Sequence, residues 1–437
     1  MELSQQLQRD HSATNSTGLR ALRTSRFTHI AVIASWIAAT LITFYAPGYA
    51  MLALIPIALF PFVSNQPLLS TGILVSALFT LFGTVGNFLY LGVSYIDFHT
   101  VSAAMSFHLF FSLGIYLGAL TIPRSVVQVR PALQQFWMLV AIAAVSLLII
   151  RFALNGTPLL TAGGQRLEGL STLNPYLGLA SGVLPLITAY LPASRGGWAT
   201  LLKFLIVTLV FLTGSRLMLA AVLVGYVYQY LRGRVERKDA LSPQVVILGI
   251  VGLVSLIAAI VNIYALRTTE SVTVTWQERV EESTGTLGMI TLLFGPSLFL
   301  AARNGLVVFE LVQLGGLKPP GGFVLGGLGH TLGFMQDPEL WLTQALGFNP
   351  VSTGATATPI WAGTTLDFGN AAVVVALGMG VLIAGLSQRI PALAIWFAFG
   401  IVLSSYGSYL VSVQFLITLL VLTISLRIGS RGKKEID

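Results

Sequence analysis

The chain of 437 residues contains no cysteine and has few charged residues. Without cysteine it forms no disulfide and offers no thiolate to a metal, which excludes disulfide-rich secreted scaffolds and thiolate metal sites. Asp, Glu, Lys and Arg make up only 9% of the residues, whereas a soluble domain carries about 25%. This shortage of charge excludes a soluble enzyme.

Hydrophobic residues make up 55% of the chain and form long blocks without charge, such as 31–96. Because a helix needs about 20 apolar residues to cross a bilayer, these blocks are typical of membrane spans. The sequence therefore predicts an all-α polytopic membrane protein with about 12 transmembrane helices. We expect spans at 28–46, 49–63, 69–92, 101–121, 133–154, 173–192, 199–213, 216–231, 244–264, 359–387, 390–409 and 411–427. The second, seventh and eighth are short for a bilayer, so they are tilted, broken or buried in the bundle.

Positive charge indicates the orientation of these spans, because cytoplasmic loops carry the excess of Lys and Arg. With twelve spans and both termini in the cytoplasm, all but seven of the 24 basic residues lie on the cytoplasmic side. The net charge of +8 is then largely a topology signal, and no nucleic-acid partner is expected. The chain divides into a cytoplasmic segment (1–27), spans 1–9 (28–264), a large external region (265–358), spans 10–12 (359–427) and a cytoplasmic tail (428–437).

The external region contains two apolar pieces, 286–301 and 304–317. We expect these pieces to form helices along or dipping into the membrane surface. Arg303, Glu310 and the Pro-Pro-Gly-Gly turn at 319–322 interrupt the region, which favours a surface position over two further spans.

The basic residues predicted to lie outside are six arginines and one lysine. Arginine is the side chain whose planar fork matches phosphate oxygens. Arg216 lies between two apolar runs, where an ionisable residue is costly, and either binds a ligand or snorkels to lipid head groups. Arg166 either binds a ligand or pairs with Glu168, and Arg267 is either a ligand contact or an interfacial anchor.

Arg303 and Glu310 are seven residues apart, so on a helix they share one face. A carboxylate with a neighbouring arginine could accept a proton from a sugar hydroxyl, and the alternative is an ion pair that bridges two helices. His330 is the second candidate base, or a histidine bonded to the backbone. With Asp337 and Glu339 it forms an irregularly spaced set, from which we expect no metal site. Asp367 caps a helix or faces a cavity.

Taken together, these residues resemble the Wzy-type oligosaccharide repeat-unit polymerases, which are O-antigen polymerase-like membrane glycosyltransferases. The resemblance covers most of the chain and lies in the twelve-span layout with its late external region. It includes Gly214-Ser215-Arg216 at the start of a span, and Arg303 with Glu310 in the late external region. The hydroxyl-rich run 352–359 that leads to Asp367-Phe368-Gly369 is also similar, and Arg166 in an earlier external loop fits as well.

The resemblance implies a GT-C-like fold in the cytoplasmic (inner) membrane. It implies that a sugar hydroxyl of one lipid-linked unit attacks a polyprenyl-pyrophosphate-linked glycan on the outer face, releasing polyprenyl pyrophosphate. Neither a nucleotide nor a metal is required, so no cofactor is expected. Beyond the lipid-linked oligosaccharides and membrane lipid, a flippase and a chain-length regulator are the expected partners. The residues assigned to pyrophosphate are Arg166, Arg216, Arg267 and Arg303, with Glu310 as the first candidate base and His330 as the second.

Two alternatives remain open from the sequence. One is an O-antigen-ligase-like transferase, which uses the same donor and a different acceptor. The other is a lipid or sugar transporter. Two observations count against a transporter: the sequence has no visible inverted repeat, and the ionisable residues that do not determine topology lie at the outer side.

Overall fold

The computed structural model describes residues 26–64, 66–91, 96–121, 131–157, 197–212, 222, 301–331, 334–347, 358–389, 392–405, 407 and 410. Within these ranges every regular element is a helix, and there is no strand. Of the predicted spans, 173–192, 216–231 (except residue 222), 244–264 and 411–427 lie outside the described residues, as does the first apolar piece of the external region. The observed helical fold agrees with the predicted all-α class.

Twelve α-helices occur in the described ranges, together with two short 3-10 helices, Pro47–Ala53 and Gly369–Ala371. The α-helices are α1 (Arg26–Tyr45), α2 (Leu54–Val63), α3 (Pro67–Leu91), α4 (Phe98–Thr121), α5 (Pro131–Asn155), α6 (Gly197–Leu212), α7 (Ala301–Gly315), α8 (Val324–Thr331), α9 (Pro338–Ala345), α10 (Ile360–Phe368), α11 (Ala372–Arg389) and α12 (Ala392–Leu403).

Three helical stretches in the described part of the chain are long and apolar enough to cross a membrane: Pro67–Val85, Phe98–Thr121 and Ile360–Gln388. Four shorter apolar stretches accompany them, in α1, at Pro47–Pro61, in α5 and in α6. These helices indicate a membrane protein. The predicted total of 12 spans depends also on segments outside the described ranges and stays a prediction.

Two of the predicted spans are interrupted helices. The short span at 49–63 consists of the 3-10 helix Pro47–Ala53 followed directly by α2. The span at 359–387 divides at Gly369, which ends α10 with a φ of 56°. Because a left-handed φ suits glycine and few other residues, the sequence at this point permits the chain to turn between α10 and α11.

Helix α4 lies at the centre of the bundle, with buried residues on all its faces. It packs most extensively against α11, and it also contacts α1, α2, α3, α7 and α10. A helix that is hydrophobic all round is expected in such a surrounded position. The same helix therefore determines how the others are arranged.

Glycines allow α4 and α11 to approach closely. A Cβ atom on Gly118 would lie 2.7 Å from the Val381 carbonyl oxygen, and one on Gly380 would lie 2.8 Å from the Ile115 nitrogen. Gly114, four residues before Gly118, also lies against the α11 backbone. Small residues four apart are the usual way in which membrane helices pack, since lipid provides no hydrophobic force to hold them together.

Side-chain hydrogen bonds connect α4 with its neighbours. Trp36 Nε1 on α1 donates to Ser112 Oγ at 3.2 Å. His108 Nδ1 donates to the Ala104 carbonyl at 2.7 Å, and its Nε2 accepts from Ser76 Oγ on α3 at 2.8 Å. A carbonyl can only accept, so these partners assign the neutral Nδ1–H tautomer. The Trp36, Ser76 and His108 side chains are thereby hydrogen-bonded, as an apolar surrounding requires.

The two ends of the bundle differ. At one end, Gln388 Nε2 on α11 donates to the Ala119 carbonyl on α4 at 2.8 Å. Arg389 is the last residue of α11 there, and in the sequence Arg124 is the first basic residue after α4. At the other end lie the C-terminus of α1 and the N-termini of α4 and α11. The charge pattern predicts that the end with Arg389 is cytoplasmic, and this orientation stays a prediction.

Substitution of Gly380 by alanine should destabilise the protein. The added Cβ would meet the α4 backbone, and overpacking of this kind costs about 1–3 kcal/mol. Gly378 is the matched control on the same helix, because a Cβ there meets no atom within 4 Å. Thermal unfolding of the purified protein in detergent should show a lower Tm for Gly380→Ala and no decrease for Gly378→Ala. Equal Tm values for the two variants would contradict the close approach.

The predicted orientation can be checked in a background that lacks cysteine. Tyr45, 85% exposed at the end of α1, and Thr121, exposed at the end of α4, lie at opposite ends of the bundle. In right-side-out membrane vesicles, an impermeant maleimide should label Tyr45→Cys directly and Thr121→Cys only after permeabilisation. The reverse pattern would show that the orientation is inverted.

Candidate functional site

A cavity of about 620 Å³ opens at the bundle end that the sequence predicts to be external. Its volume falls in the range of roughly 300–1,000 Å³ that is typical of small-ligand sites. Its walls come from the end of α1, the first turns of α4, one face of α7, and the junction between α10 and α11. Among the described residues, those that line the cavity are Thr43, Phe44, His99, Ser102, Ala103, Ser106, Phe107, Phe309, Gln313, Thr365, Leu366, Gly369, Asn370, Ala372 and Val373.

Glu310 lies beside this cavity, next along α7 to the lining residue Phe309. Its Oε1 accepts a short hydrogen bond from the Asp97 backbone nitrogen and a bond of 3.1 Å from Thr100 Oγ1. Asp97 also accepts from the His99 nitrogen through its own side chain. Two carboxylates therefore occupy the N-terminus of α4, where the helix dipole favours negative charge. Helix α7 is thus held to the start of α4 through Glu310.

The second oxygen of Glu310 has a different environment. Among the described residues, no hydrogen bond reaches Oε2. A carboxylate that is held in place through one oxygen can accept a proton on the other. The geometry is therefore compatible with the base that the sequence predicts, and in the described part of the chain Glu310 bonds to a helix N-terminus.

Arg303 is half-buried on α7, two turns before Glu310, as the spacing predicted. Partial burial lowers the pKa of its guanidinium from the usual value, and an arginine side chain nevertheless stays charged at neutral pH. Helix α7 packs against α3, where a Cβ on Gly83 would lie 2.7 Å from the Ala302 carbonyl oxygen. The position of Arg303 is therefore determined by a close helix contact one residue away.

Asp367 caps a helix, one of the two roles considered from the sequence. Its Oδ1 accepts from the Phe323 nitrogen at 2.8 Å and its Oδ2 from the Val324 nitrogen at 2.7 Å. These are the first backbone donors of α8. Gly322 makes this possible, since it has a φ of 78° and a Cβ there would lie 2.5 Å from Asp367 Oδ1. Asp367 thereby holds α8 against α10, beside the cavity wall formed by Thr365 and Leu366.

His330 is exposed in the last turn of α8, and its Nδ1 donates to the Met335 carbonyl at 3.1 Å. Asp337 caps α9 by accepting from the Glu339 nitrogen at 2.9 Å. Glu339 in turn accepts from the Thr358 nitrogen at 3.1 Å. The described residues contain no group of three or more His, Asp and Glu side chains that could hold a metal.

The structure places the predicted residues on two helices that both pack against α10. Arg303 and Glu310 lie on α7, which packs against α3, α4 and α10, whereas His330 lies on α8, which packs against α9 and α10. Arg166, Arg216 and Arg267 lie outside the described residues, and their assignment to pyrophosphate stays a prediction.

Sequence reasoning gave no role to Asp97 and His99, and it did not single out Gln313 or Asn370. Asp97 and His99 stand at the start of α4, and the other two face the same cavity. One signal was present in the sequence. Asp97, Phe98, His99 and Thr100 come directly before a long apolar span at its predicted outer end. A polar cluster in that position either caps the helix or faces a site, and here it does both.

No family model, curated protein or solved structure matches this chain. Its function is therefore argued from the cavity and the side chains around it.

Removal of the α8 cap should loosen that helix alone. Asp367→Ala deletes both acceptor oxygens, and losing an N-terminal cap costs about 0.5–2 kcal/mol. Hydrogen exchange of the purified protein should become faster across 324–331. Asp337→Ala is the matched control, because it should speed exchange in α9 instead. Unchanged protection of α8 in Asp367→Ala would mean that the cap does not hold it.

Proposed function

We propose that the protein is a membrane glycosyltransferase that joins polyprenyl-pyrophosphate-linked oligosaccharide repeat units on the outer face of the cytoplasmic membrane. The position of Glu310 carries the proposal. This carboxylate is fixed at the N-terminus of α4, beside a cavity lined by uncharged polar groups. It also shares one helix with Arg303. The proposed reaction needs a base near a sugar hydroxyl and a cation near a leaving pyrophosphate.

In the proposed reaction, the acceptor hydroxyl gives its proton to Glu310 Oε2. The hydroxyl oxygen forms a bond with the anomeric carbon of the donor glycan, and the bond from that carbon to the pyrophosphate oxygen breaks. The polyprenyl pyrophosphate leaves with its electron pair and additional negative charge. Arg303, together with Arg166, Arg216 and Arg267, stabilises this charge through guanidinium donors.

The charge pattern supports the same proposal. The cavity lies at the bundle end that the distribution of Lys and Arg predicts to be external, where lipid-linked repeat units would be joined. Asp367 and Gly322 fix α8, which bears His330, the second candidate base, against α10. The short helices of the external region would thus be held beside the cavity.

The proposal predicts that the purified protein, given one lipid-linked repeat unit, forms a ladder of products on a gel. Glu310→Gln should lower kcat by about 10²–10⁴, because it removes the proton acceptor. Its amide oxygen can still accept from the Asp97 nitrogen and Thr100, so the Tm should remain near that of the wild type. Arg303→Ala should lower the rate by about 10²–10³, as for loss of a donor to a developing oxyanion.

Glu339→Gln is the matched control, since this glutamate also accepts a backbone hydrogen bond but lies on α9, none of whose residues lines the cavity. It should retain the wild-type rate. Full activity of both Glu310→Gln and Arg303→Ala at normal expression would refute the site assignment. A single transfer that occurs only with a different acceptor would indicate a ligase, and no transfer by the wild type would remove the support for a polymerase.

A further inference from the structure

The described walls of the cavity beside Glu310 carry no charged side chain, whereas the proposed reaction also requires positive charge. Among the lining residues that the structure describes, none is Lys, Arg, Asp or Glu, and His99 is the single titratable one. Two helix N-termini border the cavity, those of α4 and α11, and that of α4 is already occupied by the carboxylates of Asp97 and Glu310. A helix end compensated in this way attracts an anion weakly. Without a Lys or Arg among the described lining residues, these walls are poorly suited to a pyrophosphate, which such side chains bind.

Its polar groups are available for a ligand. In the described part of the chain, no hydrogen bond involves the side chains of Ser106, Gln313, Asn370 or His99. Ser106 is 5% exposed, and it lines the cavity, so its hydroxyl can donate to and accept from a ligand there.

The remaining hydroxyls of the lining keep acceptor capacity. Thr43 donates to the Thr40 carbonyl at 2.9 Å, Ser102 donates to the Thr43 carbonyl, and Thr365 donates to the Trp361 carbonyl at 2.7 Å. Each hydroxyl that donates to the backbone can still accept through its lone pairs. The cavity thus offers acceptors from hydroxyls, and both donors and acceptors from the two amides.

Apolar surface alternates with these groups. Phe107 and Phe309 are almost fully buried, and Phe44 is half-exposed at the opening. Phe309 is kept in place by Trp361, with ring centroids 5.2 Å apart. A ligand that fits must therefore have many neutral groups able both to donate and to accept, together with an apolar face. A sugar ring has this combination.

We propose that this cavity is a subsite for an uncharged sugar residue of the glycan, in which Gln313 and Asn370 select the sugar. The inference rests on the proposed function for the identity of the glycan. It separates two parts of the substrate, because the sugar contacts the uncharged walls of the cavity and the pyrophosphate is left to the arginines. The sugar then lies against α7, the helix that bears Glu310.

The test measures sugar binding apart from transfer. The purified full chain in lipid nanodiscs is studied by saturation-transfer NMR with the methyl glycosides of glucose, galactose, mannose and N-acetylglucosamine. At least one glycoside should bind. The double variant Gln313→Leu and Asn370→Leu should weaken this binding by about tenfold, because two hydrogen-bonding side chains are lost at nearly constant volume. Gln344→Leu, an exposed glutamine on α9, should bind as the wild type does.

A second measurement locates the ligand. The chain has no cysteine, so Ser106→Cys introduces a single thiol in the cavity wall. A bound glycoside should prevent most of the labelling of this thiol by a small thiol reagent. Inorganic pyrophosphate should neither protect this thiol nor displace the glycoside. Failure of all four glycosides to bind, unchanged binding by the double variant, or protection of the thiol by pyrophosphate would each overturn the subsite.

The same samples separate this inference from the proposed function. A product ladder without glycoside binding would overturn the subsite and leave the polymerase standing. Glycoside binding that depends on Gln313 and Asn370, without transfer from a lipid-linked donor, would support the subsite and count against the polymerase.

Discussion

The close approach of α4 and α11 is the contact on which the rest of the described structure depends. It requires glycine on both helices, at Gly114 and Gly118 on one and at Gly380 on the other. The two backbones are in contact along their length, and the two ends of this helix pair have different surroundings. Gln388 joins α11 to α4 at the basic end, and the opposite end opens into the cavity. Dispersion and shape hold this contact, since lipid supplies no hydrophobic drive between helices.

Carboxylates at helix N-termini connect the external segments to this bundle. Glu310 joins α7 to the start of α4, and Asp367 joins α8 to the end of α10. Both satisfy backbone donors that a helix leaves unpaired. The contact made by Glu310 also places a carboxylate beside a cavity. A structural cap and a candidate base are thus the same side chain, with its two oxygens serving the two roles separately.

The cavity and the arginines are suited to different parts of the proposed substrate. Uncharged groups such as Ser106 and Asn370 surround the space, while Arg303 lies two turns away from Glu310 along α7. A glycan joined to a pyrophosphate has the same division, with a neutral part rich in hydroxyls and a compact anionic part. This correspondence links the subsite to the proposed transferase activity.

The sequence by itself determined the membrane class, the helical fold and the approximate positions of the apolar helices, because these follow from charge content and from the length of uncharged blocks. It also placed Arg303 and Glu310 on one helical face through their spacing. Only the tertiary structure decided that Glu310 binds the N-terminus of α4, that Asp367 caps α8, and that His99, Gln313 and Asn370 meet in one cavity. Those contacts join residues up to about 270 positions apart. The spacing of residues within a helix carries no information about which helices pack together.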